Sequence, residues 1–357
     1  MALITGGAGF IGSNLAERLL AQPGTRVRIF DNLSRAGVLR NVEWLRALPG
    51  AGRLEIVQGD VRDAKSVRDA VRGVTEIYHL AAQVAVTTSV DDPATDFEIN
   101  AQGTFNLLEA ARRSGRNPFF LYTSTNKVYG SLDSLRVTVE GARYTAQAPG
   151  FEGVDETAQL DFHSPYGCSK GAADQYVRDY ARIYQLPTVV FRMSCIAGPR
   201  QFGNEDQGWV AHFLYTALAG RPITIYGDGY QVRDVLHVHD LLDAMQAARA
   251  SLARTRGNVY NLGGGMKRAV SILEMLEQIE QVTGEAPDLR YRDVRPGDQP
   301  LYISNTGLLE RHTGWRPRRS VTQTLKAIQA FWDSNSDVIN HGRQLASTAE
   351  RLTQELA

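Results

Sequence analysis

No sign of charge is in excess in this sequence: 39 lysines and arginines face 39 aspartates and glutamates. That balance speaks against a nucleic-acid groove or a face that binds anionic membranes. Long apolar runs are missing, and the first residues have no signal-peptide pattern, so neither a membrane span nor a secretion signal is expected. Cysteine is scarce. Cys168 and Cys195 are the only two, too few for a disulfide framework and without metal-ligand spacing. A reducing cytoplasm and a metal-free site are the plain expectations. What remains is an ordinary globular composition, 43% hydrophobic and 22% charged over 357 residues, enough for one large domain or two unequal lobes.

Against that background the run Gly6-Gly7-Ala8-Gly9-Phe10-Ile11-Gly12 stands out. The apolar Ala2-Leu3-Ile4 before it reads as a strand, and an apolar-periodic helix follows from Phe10 to Leu20. A strand, a glycine turn and a helix N-terminus make an anion cradle, because backbone N–H groups can close on a pyrophosphate. Asp31 ends the next apolar run about 20 residues further on, where an acid binds the ribose hydroxyls of NAD. Arg35 could stack on adenine or accept a 2′-phosphate. With Asp31 beside it, repulsion favours NAD over NADP.

Strand-like runs then alternate with helical patterns. Leu54–Val57 ends at Gly59-Asp60, Glu76–Leu80 at Ala81-Ala82, and Phe119–Tyr122 at Thr123-Ser124-Thr125. Helices are expected near 64–71 and from about 94 to 113. This rhythm predicts a doubly wound parallel sheet with its functional groups at the C-terminal strand ends. It breaks between Ser131 and Pro165, a polar stretch expected to be a functional or disordered loop. Beyond about residue 196 shorter elements mix, with helices near 207–219, 238–253 and 271–283, and form a smaller lobe over the sheet's C-terminal edge. The expected division is 1–195 with an insert at 131–165, then 196–332, then a tail at 333–357. In the tail Leu345, Ala349, Leu352 and Leu356 share a helical face, which suits either a docking contact or a frayed end.

Tyr166 and Lys170 stand at i and i+4, on one face of a helix. A nearby ammonium and an oxidised nicotinamide would stabilise a phenolate. Tyr166 could then take a hydroxyl proton while the adjacent C–H leaves as hydride, with Thr125 relaying the proton. His79, at the end of an apolar strand, reads as a satisfied core histidine. His163 would either touch a sugar or order its loop. His237 and His239, two apart, would point to opposite faces of a strand and form no metal pair.

These motifs resemble the extended short-chain dehydrogenases, the NAD-dependent epimerase/dehydratase family that acts on nucleotide sugars. The matching residues include Asp31-Asn32-Leu33, Gly59-Asp60-Val61, His79-Leu80-Ala81-Ala82, Asn100, Val128-Tyr129-Gly130, Gln231–Val235 and Arg295-Pro296-Gly297-Asp298. The resemblance covers residues 2–332 and implies a Rossmann-like sheet with a C-terminal α/β substrate-binding lobe. It implies Thr125, Tyr166 and Lys170 as the catalytic set. By the same resemblance NAD would lie along Gly6, Gly9, Phe10, Ile11, Gly12, Asp31, Asn32, Ser34, Arg35, Asp60, Val61, Leu80, Ala81, Ala82, Gln83, Asn100 and Thr123, with Tyr166 and Lys170. Substrate would meet Thr87, Thr125, Asn126, His163, Cys195, Gln201, Gln207, Arg233, Arg295 and Asp298, the two arginines holding its diphosphate. Many relatives carry asparagine where this chain has Cys195. That cysteine belongs either to a modified clamp or to the core as a small hydrophobe.

Thr125–Gly130, Leu160–Lys170, Gly171–Tyr176 and Asp206–Val210 are further similar to the CDP-paratose 2-epimerases, also called CDP-tyvelose epimerases. That similarity implies oxidation at C2 of a CDP-linked hexose and return of the hydride to the other face, with NAD held throughout. The sugar 4,6-dehydratases place an Asp-Glu pair where this chain has Asn126-Lys127, which argues against dehydration. C4 epimerisation, a GDP- or UDP-sugar substrate, and a non-catalytic NAD sensor are the alternatives. A homodimer or homotetramer is implied by resemblance alone.

Overall fold

The computed structural model describes residues 1–295 and 298–336. Seven parallel strands form the central sheet, in the spatial order Leu54–Gln58, Val27–Asp31, Ala2–Thr5, Glu76–His79, Phe119–Thr125, Thr188–Met193 and Val259–Leu262. The order reverses beside Ala2–Thr5, and in open parallel sheets that reversal opens a crevice at the C-terminal strand ends. Phe119–Thr125 is buried along its whole length, as a strand covered by helices on both faces must be. One face packs Ile4, Leu15, Ile29 and Leu121 against Leu241 and Met245; the other packs Leu3, Phe30, Ile77 and Phe120 against Leu107, Leu108 and Val177.

The chain beyond residue 196 is not confined to a second lobe. Val259–Leu262 is buried throughout and pairs with Thr188–Met193 as the last strand of the central sheet. Helix Val238–Ala250 packs into the same core. The rest forms a separate layer, with strands Ala269–Ser271, Val232–His237 and Leu301–Tyr302 side by side and Cys195–Ala197 joined to Val232–His237. Ile223–Tyr226 and Leu289–Arg292 make a parallel pair beside it.

Three local expectations are corrected. Residues 131–165 are not a structureless loop: Val137–Glu140 and Arg143–Ala146 form an antiparallel hairpin. It is fastened to the second layer by Arg143 on Glu274 and by Tyr144 N–H on the Tyr230 carbonyl. The helix expected from 94 to 113 is interrupted by a widened π turn at Glu98–Gln102, between Pro93–Phe97 and Gly103–Arg113. Such turns concentrate at functional sites, and this one carries Asn100. His237 and His239 do not diverge across a strand. The strand ends at His237 and a helix begins at Val238, so the two ring centres lie 5.1 Å apart. Among the described residues no helix is long and apolar enough to cross a membrane, and no group of three metal-ligating side chains occurs. The tail stripe from Leu345 to Leu356 lies outside the described residues.

His79 is fully buried, with Nδ1 2.7 Å from the Thr5 hydroxyl and Nε2 2.9 Å from the Thr104 hydroxyl. Thr104 gives its own proton to the Asn100 carbonyl, so its oxygen accepts from Nε2–H, and Nδ1 of the neutral ring accepts from Thr5. Burial, then the charge of Lys170, pushes its pKa down to about 3. Below the unfolded histidine's pKa near 6.5 the unfolded chain binds a proton that the native ring refuses. Stability is therefore whole above that value and falls as pH drops, by up to about 1.4 kcal/mol per pH unit. Urea midpoints at pH 7.5 and 5.5 check this. The drop between them should shrink in His79→Asn, and an equal drop in both proteins would refute the assignment.

Candidate active site

Two clefts meet at the C-terminal edge of the central sheet. The first, of about 330 Å³, begins at the glycine turn. Gly6 has φ +67°, and a Cβ there would sit 2.8 Å from the Ala81 nitrogen; one on Gly12 would sit 2.3 Å from the Gly6 carbonyl oxygen. Only glycine lets these segments close. Gly9 caps helix Phe10–Leu20 with no side-chain hydrogen bond, so the first-turn N–H groups stay available to an anion. Asp31 accepts from the N–H groups of Ala8 (3.0 Å) and Leu33 (2.9 Å), which fixes its carboxylate at the mouth. Burial raises its pKa against these two hydrogen bonds. Asp60 accepts from Asn32 and, twice, from the Arg62 side chain, and Arg62 chiefly holds it low.

Phe10, Ile11, Ser34, Arg35 and Val61 complete one end of this cleft; Leu80, Ala82, Gln83, Thr123, Tyr166 and Lys170 line the other. Asn100 is not on its wall. It is buried behind, donating to the Gln83 carbonyl and accepting from the Gln83 N–H, both at 3.0 Å. Its amide sets the shape of the loop that forms the wall.

Tyr166 lines both clefts. It lies in the first turn of helix Ser164–Ile183, with Lys170 one turn later; Thr125, which lines the second cleft with it, favours its phenolate. Lys170 Nζ donates to the Thr123 carbonyl at 2.6 Å and rests 4.4 Å from the centre of the Tyr122 ring. Burial pushes Tyr166 up to about 12, and it pushes Lys170 down to about 7. The sequence leads one to expect the lysine to lower the tyrosine. Here the cost of burying either charge outweighs their attraction.

The second cleft, of about 630 Å³, runs from Tyr166 into the second layer. Thr87, Thr125, Asn126, Gln207, Arg233, Arg295 and Asp298 all line it. Asp298 accepts from Arg233 at 2.5 Å, and Arg295 lies 3.9 Å over the Tyr226 ring. His163, Cys195 and Gln201 are not on this wall. His163 Nε2 pairs with Asp161 at 3.0 Å. Cys195 is in register with Val235, and burial pushes its thiol up to about 12. Gln201 donates to the Ile196 carbonyl and accepts the Tyr215 hydroxyl through its own carbonyl.

Sequence reasoning read Lys127 only as the absence of an acid and gave Trp209 and Tyr226 no site role; all three are on this wall. Lys127 Nζ sits 3.6 Å from Asp298, and burial, then the charge of Arg233, lowers it to about 8. Its place two residues past Thr125 was the available signal. Asp298 is 171 positions away, so no local pattern could pair the two.

A family model described as GDP-mannose 4,6 dehydratase matches residues 3–328. The CDP-paratose 2-epimerase of Salmonella typhi is 44% identical over 349 residues, 94% of this chain and 99% of that protein. A dTDP-glucose 4,6-dehydratase of Salmonella typhimurium is 30% identical, over 95% of this chain and 94% of its own length. Among solved structures, the Thermus thermophilus UDP-glucose 4-epimerase in complex with NAD superposes with a TM-score of 0.78 at 32% identity. It covers 93% of this chain and 98% of that one.

Proposed function

Because the chain belongs to the epimerase/dehydratase family that the GDP-mannose 4,6 dehydratase model describes, we propose that it holds NAD and inverts C2 of a nucleotide-linked hexose, of the CDP-paratose type. The observation that carries this is the junction of the clefts. Tyr166 stands between them, beside Thr125 on the wall of the second, and the residues after Thr125 are an amide and an ammonium. Dehydration needs an acid and a base beside the sugar to remove a proton and release water. Asn126 and Lys127 supply no carboxylate.

The first cleft fits NAD in its own chemistry: bare first-turn N–H groups suit a pyrophosphate, and the fixed Asp31 carboxylate suits ribose hydroxyls. When bound there, NAD supplies a reversible hydride acceptor. Thr125 and Tyr166 would hold the sugar hydroxyl and move its proton. Lys170 would keep a positive charge beneath the phenol. In the second cleft Arg233 and Arg295 would hold the diphosphate, since guanidinium forks match phosphate oxygens. Asp298 keeps Arg233 in place. Anchoring at the diphosphate leaves the oxidised sugar free to turn over, as inversion requires.

The deciding experiment is proton NMR of the purified protein with CDP-paratose and no added NAD. New H1 and H2 signals of the 2-epimer are expected, alongside silence with CDP-, UDP- and GDP-glucose. Conversion of UDP-glucose instead would favour C4 chemistry. Silence throughout, even with NAD supplied, would favour a sensor.

Gly12→Ala should strip the protein of cofactor, because its Cβ would clash with the Gly6 carbonyl. Gly52→Ala has nothing within 4 Å of the new Cβ and is the control. NAD released on denaturation and quantified by chromatography should fall at least roughly tenfold in the first variant only. Equal content would sink the cradle. Self-association belongs to the same proposal. Phe105 and Tyr176 pack edge to face at 5.9 Å, yet remain exposed on helices Gly103–Arg113 and Ser164–Ile183, beside exposed Ile183 and Tyr184. Light scattering should show a dimer or tetramer at micromolar concentration; a monomer refutes this.

A further inference from the structure

Asp96 is a buried carboxylate to which the chemistry above gives no role. It is 1% exposed, in the short helix Pro93–Phe97. Its Oδ2 accepts the Ser169 hydroxyl at 2.5 Å, and its Oδ1 accepts Asn100 Nδ2 at 3.0 Å. Asn100 also reaches Ser169 Oγ at 3.2 Å and holds the Gln83 loop. Ser169 lies between Tyr166 and Lys170 on their helix. One carboxylate thus joins the cofactor loop, the widened turn and the helix that bears the tyrosine and lysine.

Both donors are neutral, so neither offsets the charge of the buried carboxylate. Among the described residues Asp96 makes no direct ion pair. The cation whose field it feels is Lys170, which donates to the Thr123 carbonyl instead. Two carboxylates oppose the burial of Lys170, Asp96 first and Asp174 second. Asp174 is already spent: Arg192 grips both of its oxygens, at 2.8 and 3.0 Å. The other charged or titratable groups packed around the pair are Arg35, facing Tyr166, and the neutral His79 and Tyr122, facing Lys170 and Tyr166. None of these is a free anion.

We propose that Asp96 is a positioning residue whose negative charge, exerted through space, keeps Lys170 an ammonium and sets the pH range in which the tyrosine–lysine pair works. The inference rests on the catalytic reading of Tyr166 and Lys170 given above. The sign follows directly. Asp96 raises the pKa of Lys170 and also that of Tyr166. Removing its charge lowers both, so the whole pH–rate profile moves to lower pH.

The test is the pH dependence of kcat/KM for the NAD-loaded enzyme acting on CDP-paratose. Asp96→Asn removes the charge and keeps the shape and one acceptor oxygen, for Ser169, at the loss of the bond from Asn100. Its profile should move down by roughly one pH unit, the size of effect expected from one nearby charge. Ser169→Ala removes the hydrogen bond and leaves the charge, so its rate should drop with no movement of the profile. Should Asp96→Asn fail to fold, Asp96→Glu retains the charge and should retain the profile's position. A scaled but unmoved profile in Asp96→Asn, or a downward shift in Asp96→Glu or Ser169→Ala, overturns the proposal. Full turnover by Tyr166→Phe would instead overturn the reading on which it rests, which separates the two failures.

Discussion

Tyr166→Phe is expected to lower kcat by about 10²- to 10⁴-fold, the span that positioned acid–base groups usually contribute. The substitution removes one oxygen and leaves a buried ring in its place, so packing is preserved. On the proposed reading the sugar hydroxyl loses its proton acceptor at the junction of the clefts. Neither change touches the glycine turn, Asp31 or the arginines of the second cleft. NAD content and substrate affinity should therefore stay near wild type, with the loss confined to kcat. Steady-state kinetics by NMR, together with quantified cofactor, separates these terms. Turnover within about threefold of wild type would remove Tyr166 from the chemistry.

The largest loss of stability is expected from Asp174→Ala. Asp174 and Arg192 have side-chain exposures of 0% and 2%, and they meet in a two-pronged ion pair. Arg192 also donates to the Tyr129 hydroxyl at 3.0 Å, and Tyr129 donates to Asn261 at 2.7 Å. Removing the carboxylate leaves a guanidinium without a counter-charge deep in the protein. Breaking such a pair costs about 3–5 kcal/mol, a large share of the roughly 5–15 kcal/mol that holds a typical fold together. Urea unfolding should show that loss. The double variant Asp174→Leu with Arg192→Met should lose markedly less than the sum of its single changes, since no charge is then stranded. A single-variant loss under about 1 kcal/mol would mean that the arginine finds water or another anion.

The two experiments probe different bonds of one helix. Ser164–Ile183 carries Tyr166 and Lys170 near its start and Asp174 one turn later. The ion pair clamps this helix to the strand Thr188–Met193, two turns beyond the tyrosine. A weakened clamp should lower kcat even though Asp174 never meets the sugar.

Much of the site was legible in the chain alone, for a local reason. The turn at Gly6–Gly12 needs glycine because neighbouring backbone closes to within 3 Å of where a Cβ would be. The i, i+4 spacing of Tyr166 and Lys170 survives in any α-helix. Thr125, Asp31 and Asp60 stand at or just past strand ends, and alternating strands and helices place such ends along one edge. Period, steric demand and strand termination act over a few residues, so composition and spacing determined the parallel sheet, the cofactor cleft and the tyrosine–lysine helix. What the sequence did not determine depends on residues far apart. Asp96 meets Ser169 across 73 positions and Lys127 meets Asp298 across 171. Val259–Leu262 pairs with Thr188–Met193 in the central sheet across about 70 positions. The height of a pKa is decided in the same way. Desolvation sums over every neighbour that excludes water, and it held Tyr166 near 12 and Lys170 near 7 where spacing alone had suggested mutual stabilisation.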